Sequence, residues 1–296
     1  MISVERSGPR RHVNELNWRY DVRPRLLSVT AEPGDVLRRR RYANPPVAEA
    51  IARLAWTGAA TWNVTTPGLV YERVRELYPD EPRVQASVQA GVGPIGSEQA
   101  PTAGKLGLVV AGGGQRMLFG SDNGSRLLGL SPRDLSVHGL KPYEGWESLL
   151  GRLMDGYELV KDVATPQMDA VSTVGLRYVN QVEIPTVQLD FYDYFTVSIE
   201  FPKPGFPQVV SSFLDQAELH FPGEDVRMNF TWASADSPEG TSAFILDLDL
   251  YYEPEEPISL DEARAVLADL KTKERQAFES LLQPRLREMF GEIDDA

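Results

Sequence analysis

Residues 242–284 read SAFILDLDLYYEPEEPISLDEARAVLADLKTKERQAFESLLQP, and this stretch decides the fold class. Its first eleven residues alternate: Leu246, Leu248 and Leu250 fall on one side of a strand, Asp247 and Asp249 on the other. A Pro-rich turn follows. Ser259 and Glu262 then form a capping-box pattern, and Ala263, Val266, Leu267, Leu270, Ala277, Phe278, Leu281 and Leu282 recur on one stripe of a helix of about six turns that Pro284 stops. A half-buried strand followed by a long amphipathic helix requires a sheet with one face covered.

Working backward, three antiparallel strands are expected near Val209 to Phe221, Arg227 to Ala233 and Ser242 to Tyr252, with a long strand from Val171 to Ile184 before them. Tyr143 to Val163 has helical spacing at Trp146, Leu149, Leu150, Leu153 and Tyr157. Upstream lies a meander: Arg83 to Gly91, a Gly- and Pro-rich loop over 92–104, Lys105 to Val110, the Gly112-Gly113-Gly114 turn, Met117 to Phe119, the Asp122-Asn123-Gly124 turn, Arg126 to Leu130 and Asp134 to Leu140. Before it, Val47 to Trp56 reads as a strand after the stiff Asn44-Pro45-Pro46, and Pro67 to Tyr78 as a helix. For that helix the pattern expects Thr66 as N-cap and a buried face of Leu69, Val70, Val74 and Leu77. Strand and helix do not alternate as a doubly wound parallel sheet demands. The expectation is α+β: antiparallel sheet with helices on one face and a long C-terminal helix. It is built either as two ferredoxin-like or TBP-like halves, residues 43–165 and 166–296, or as one helix-grip sheet.

The chain has 296 residues, a formal charge of -13 and no Cys, which excludes disulfides, thiolate metal sites and a cysteine nucleophile. Charge is unevenly placed. Residues 1–42 hold ten Arg and five acids, leaving 20 basic and 38 acidic residues, a net -18, on 43–296. Residues 1–42 are therefore read as an Arg-rich arm, with at most a short strand around Leu26 to Thr30. No apolar run of membrane-spanning length and no leader pattern occurs, so a cytoplasmic setting without membrane contact is expected.

Four fragments carry a family likeness: Asn44-Pro45-Pro46-Val47 with Glu49, Leu140-Lys141-Pro142-Tyr143-Glu144-Gly145-Trp146-Glu147, Gly175-Leu176-Arg177-Tyr178-Val179-Asn180, and Ile245-Leu246-Asp247-Leu248-Asp249 with Phe278 and Leu286-Arg287-Glu288-Met289-Phe290-Gly291. Over about residues 42–291 the chain resembles the TIGR04255 family, a sporadically distributed group of bacterial proteins to which no reaction is assigned. The resemblance implies an accessory role such as defence, toxin–antitoxin or mobile-element cargo, and transfers no catalytic residue. Where such relatives have a Leu-His pair in the last helix, this chain has Leu270 and Lys271.

Chemistry-bearing patterns are sparse. The three His, His12, His138 and His220, stand far apart, which argues against zinc and Ser-His-Asp chemistry, and the glycine runs fit no nucleotide loop. Asp247 and Asp249 could share a divalent cation if Asp190, Asp193 or Glu200 joined them, but an ion pair with Arg177 on a neighbouring strand is the favoured reading. No metal and no cofactor is expected. Phe191, Tyr192, Tyr194 and Phe195 cannot all point inward from a regular element, so they are taken, with Tyr251 and Tyr252, as the candidate recognition surface. The function expected is a non-enzymatic interaction protein with a protein partner. Self-association into a homodimer is compatible with it, and nucleic acid would enter only through the arm. The alternatives are a nucleotide- or RNA-processing enzyme using Asp247 and Asp249, or a helix-grip binder of a small ligand.

Overall fold

Ten residues from Val47 to Trp56 place Ala50, Ala52, Leu54 and Trp56 on one side of an extended chain, and each is 2% exposed or less. The same side of every neighbouring strand is apolar, and the sheet so formed is the frame of the molecule. The computed structural model describes residues 40–57, 62–86, 115–121, 124–164, 170–199, 201, 205–207 and 209–293. In chain order the strands are β1 (Arg41–Tyr42), β2 (Val47–Trp56), β3 (Arg83–Ala86), β4 (Gln115–Gly120), β5 (Arg126–Leu130), β6 (Asp134–Leu140), β7 (Val171–Ile184), β8 (Leu214–His220), β9 (Val226–Ala235), β10 (Ser242–Tyr252) and β11 (Glu292–Ile293). The helices are α1 (Thr66–Val74), α2 (Trp146–Ala164), α3 (Phe191–Tyr194), α4 (Leu260–Leu281) and α5 (Pro284–Phe290).

Nine strands form one antiparallel sheet in the order β3-β4-β5-β6-β2-β7-β10-β9-β8, while β1 and β11 pair separately. The architecture is α+β. Its wiring repeats. In each half a long strand (β2, β7) leads through a short helix (α1, α3) into a meander whose last strand (β6, β10) returns beside the first, and a long helix (α2, α4) follows. The halves meet where β2 pairs with β7, Ala50 opposite Tyr178 and Ala52 opposite Leu176. Neither half follows the β-α-β-β-α-β order of a ferredoxin-like unit. Nor does one terminal helix span the sheet: α2 packs on β6 and β2, α4 on β7 and β10.

Both long helices lie on the same face. A Cβ on Gly156 of α2 would stand 2.7 Å from Leu128 and 4.0 Å from Val137, and Lys271 of α4 sits 3.8 Å from the ring centre of Tyr178. Beneath α4, Leu246, Leu248 and Leu250 are fully buried, each contributing on the order of 1.5–3 kcal/mol by leaving water. The capping box is present, with Ser259 Oγ accepting from Glu262 N–H at 3.3 Å and Glu262 Oε2 accepting from Ser259 N–H at 2.9 Å.

Two local expectations are corrected. In α1 the buried residues are Thr66, Val70 and Val74, continued by Tyr78, whereas Leu69 and Leu77 are 56% and 54% exposed. Tyr78, at 2% exposure, takes the inner place assigned to Leu77. The N-cap is Thr65, and Asn63 Oδ1 accepts from the N–H groups of Thr65 at 2.9 Å and Thr66 at 3.2 Å in place of a threonine cap. Residues 40–42, read as part of the arm, are joined to the described body. Arg40 pairs with Glu279 at 3.4 Å, β1 pairs with β11, and Tyr42 O–H donates to the same buried carboxylate at 2.9 Å. The expected strands at 26–30 and 105–110, the loop over 92–104 and the Gly112–Gly114 turn lie outside the described residues.

Candidate functional site on the sheet face opposite the long helices

Period-2 alternation that buries one face of the sheet turns the other set of side chains away from the helices. On β2 these are Glu49, Ile51 and Arg53, on β6 Ser136 and His138, on β7 Gly175 and Arg177, on β10 Asp247, Asp249 and Tyr251, and on β9 Arg227, Asn229 and Thr231. The register makes neighbours of residues far apart in sequence. Ile51 lies opposite Arg177, and Arg177 opposite Asp249.

Arg177 bonds diagonally. Its Nε donates to Asp247 Oδ1 at 2.8 Å and its Nη2 to Asp247 Oδ2 at 2.5 Å, a bidentate pair with side chains 18% and 6% exposed. Burial alone would lower the guanidinium, but its hydrogen bonds to Asp247 and the negative charges of Asp247, Asp249 and Glu49 together outweigh it and hold the group above its ordinary range. Asp249 accepts instead from Asn229. Burial pushes its carboxyl above the usual carboxylate range, and the charges of Arg177 and Arg53 pull the other way. An acid whose folded pKa is raised contributes its stability in full below its unfolded pKa, and that contribution is lost as pH rises from there through the folded value. Asp249→Asn is therefore expected to raise the urea midpoint at pH 7, with the gain disappearing as pH falls toward 3.8, the ordinary aspartate value. A lower midpoint at pH 7 would show that the ionised carboxylate is needed.

Arg53 stands beside this group. Its register partner is Gly175, and the arginine lies across the gap this leaves, Nε 3.5 Å from where a Cβ would be. Arg53 makes no hydrogen bond or ion pair with a described residue, although its charge acts on Asp249 and on Arg116.

On the β6 side the structure assembles a group that sequence spacing argued against. Ser136 Oγ is 3.0 Å from His138 Nε2, and His138 Nδ1 is 2.7 Å from Glu49 Oε1. This is the serine, imidazole, carboxylate order of nucleophilic catalysis. Its setting is unlike an active site. Ser136 is 0% and His138 1% exposed, and Ser136 Oγ also accepts from Arg116 Nη1 at 3.3 Å, while Arg116 pairs with Asp134. Both residues are enclosed on a strand paired on each side. The relay braces β6 against β2. Its one sequence signal is Ser and His two apart on a strand; Glu49 arrives through the fold.

The aromatic segment is a correction. Phe195 is 0% and Tyr194 3% exposed, and Phe191 and Phe195 meet Trp232 at centroid distances of 5.1 and 5.8 Å and Phe244 at 5.6 and 5.4 Å. A single turn of helix directs three of the four rings inward, leaving Tyr192 39% exposed. Tyr251 and Tyr252, being adjacent, face opposite ways. Tyr252 packs on the core, while Tyr251 O–H donates to Glu218 at 3.2 Å beside a pocket of about 120 Å³ lined by His220, Glu224, Asp225, Arg227, Tyr251 and Glu253.

Among the described residues, no third acid joins Asp247 and Asp249 in a metal-binding group. Asp190 caps α3 by accepting from Tyr192 N–H at 2.9 Å, Asp193 pairs with Arg285 at 3.1 Å, and Glu200 lies outside the described residues. Among the described residues no group of three or more His, Asp or Glu stands at metal-binding spacing, and no helix is long and apolar enough to cross a membrane. No protein-family model, curated protein or solved structure matches the chain.

Proposed function

We propose that the chain is a non-enzymatic recognition protein that holds a protein partner against the face of its sheet opposite α2 and α4, in an accessory system of the kind its family resemblance implies. One observation carries the reading. The carboxylates, imidazole and hydroxyl of that face engage one another in Arg177–Asp247, Asn229–Asp249 and Glu49–His138–Ser136, while Arg53 sits among them without an ion pair to a described residue. A partly buried guanidinium of this kind suits a carboxylate or a run of backbone carbonyls on a partner. A metal-dependent nuclease or nucleotidase built on Asp247 and Asp249 would need those oxygens for a cation, and Arg177 already covers both oxygens of Asp247.

The test is a photo-crosslinking amino acid placed at Arg53 in producing cells, with the same residue at exposed Leu69 on α1 as control. A discrete protein adduct is expected at position 53 and not at 69. Equal labelling at both positions would overturn the reading. So would turnover of ribonucleoside triphosphates or RNA by the purified protein that Asp249→Asn abolishes.

A further inference from the structure

Among the described residues β8 ends the sheet, and all seven of its residues, Leu214 to His220, are exposed. Ordinary outer strands alternate in exposure because one face rests on the core; here Ala217 and Leu219, on the helix side, are as open as their neighbours. Backbone bonding tells which groups face outward. Ser234 N–H donates to Phe213 O and Phe221 N–H donates to Val226 O, so the odd-numbered residues bond to β9. Leu214, Gln216, Glu218 and His220 therefore turn their N–H and C=O groups away from the sheet. The strand has no Lys, no Pro and no register shift against β9, and its two charges, Asp215 and Glu218, are the devices left to blunt the edge. Exposed apolar side chains also gather near it. Phe206, Val209, Leu214 and Leu219, all between 42% and 91% exposed, lie within fourteen residues of chain.

We propose that β8 pairs antiparallel with β8 of a second copy of this chain about a two-fold axis at Ala217, joining two sheets into one. The argument for a second copy is that the strand complements itself. With Ala217 opposite Ala217, the outward-facing Gln216 meets Glu218 of the second copy in a hydrogen-bonded pair, and Leu214 meets His220. Asp215 lies opposite Leu219, and all seven residues are paired without like charges face to face. Shifting the axis to Glu218 would oppose two carboxylates. Within its own copy the Glu218 charge is answered by Arg227 at 3.8 Å and by Tyr251 O–H at 3.2 Å, which lowers the repulsion of two acidic bodies. The contact is small, so the dimer forms at micromolar protein concentration and dissociates on dilution.

A chain without cysteine makes the test direct. At a non-hydrogen-bonded pair the two Cα atoms are about 4.5 Å apart, within disulfide range. Ala217→Cys is expected to give a covalent dimer under mild oxidation, and Leu69→Cys, exposed on α1, to remain monomeric. Light scattering on the full chain is expected to show a doubled molar mass at micromolar concentration, and Ala217→Lys, which sets two ammonium groups at the axis, to halve it. A wild-type monomer, or crosslinking of the Ala217→Cys variant no greater than that of Leu69→Cys, overturns the proposal. A disulfide adduct of the Ala217→Cys variant with a different protein does so too, and assigns the edge to another partner.

Discussion

Arg177→Ala is expected to lower the unfolding free energy by about 3–5 kcal/mol, and Asp247→Ala by a similar amount, because either change leaves a charge in a largely enclosed site without its counter-ion. The exposures of 18% and 6% place this pair much closer to a buried ion pair than to a surface one. A surface pair would be worth about 1 kcal/mol or less. The double variant Arg177→Met with Asp247→Leu removes both charges at similar volume, and it is expected to regain most of the loss, since desolvation of the two ions offsets much of their attraction. Urea unfolding of the four proteins at neutral pH measures the coupling directly. Single variants costing under about 1 kcal/mol would mean that water screens the pair and that this part of the face is open solvent.

Phe195→Ala is expected to cost about 3–5 kcal/mol, the range for truncating a fully buried aromatic. Phe195 is 0% exposed and packs on Trp232 and Phe244, rings that also contact Phe191 and Phe213, so its removal leaves a cavity walled by residues from several separate elements. Tyr192→Ala, three residues away, is expected to cost under about 1 kcal/mol, because its ring is 39% exposed. Thermal or urea unfolding of both variants separates core from surface within one short segment. Equal, small losses would restore the segment as a recognition surface.

What could be read from sequence was what short-range periodicity encodes. The strands Val47–Trp56, Val171–Ile184 and Ser242–Tyr252 and the Ser259 capping box depend on residues within a few positions of one another. The shared face of Asp247 and Asp249 and the approach of Arg177 followed from alternation alone, but which aspartate Arg177 binds depends on a diagonal contact between strands. Glu49 and His138 are 89 positions apart and touch only because β2 lies beside β6. A helix of nine residues with Leu69 on one side and Val70 and Val74 on another could turn either way, and packing chose the valines. The aromatic segment failed for a related reason: one turn of helix points rings where neither a strand nor a long helix would, and the space under β9 and β10 was invisible locally.

The β2–β7 seam has an evolutionary corollary. Glu49–His138–Ser136 lies within the first repeat of the wiring and Arg177–Asp247 within the second, and what crosses the join is charge, that of Glu49 acting on Arg177 and that of Arg53 on Asp249. If an ancestral unit was copied in tandem, each copy could keep its own bracing contacts, while the electrostatic coupling of Arg53 to Asp249 arose only with fusion.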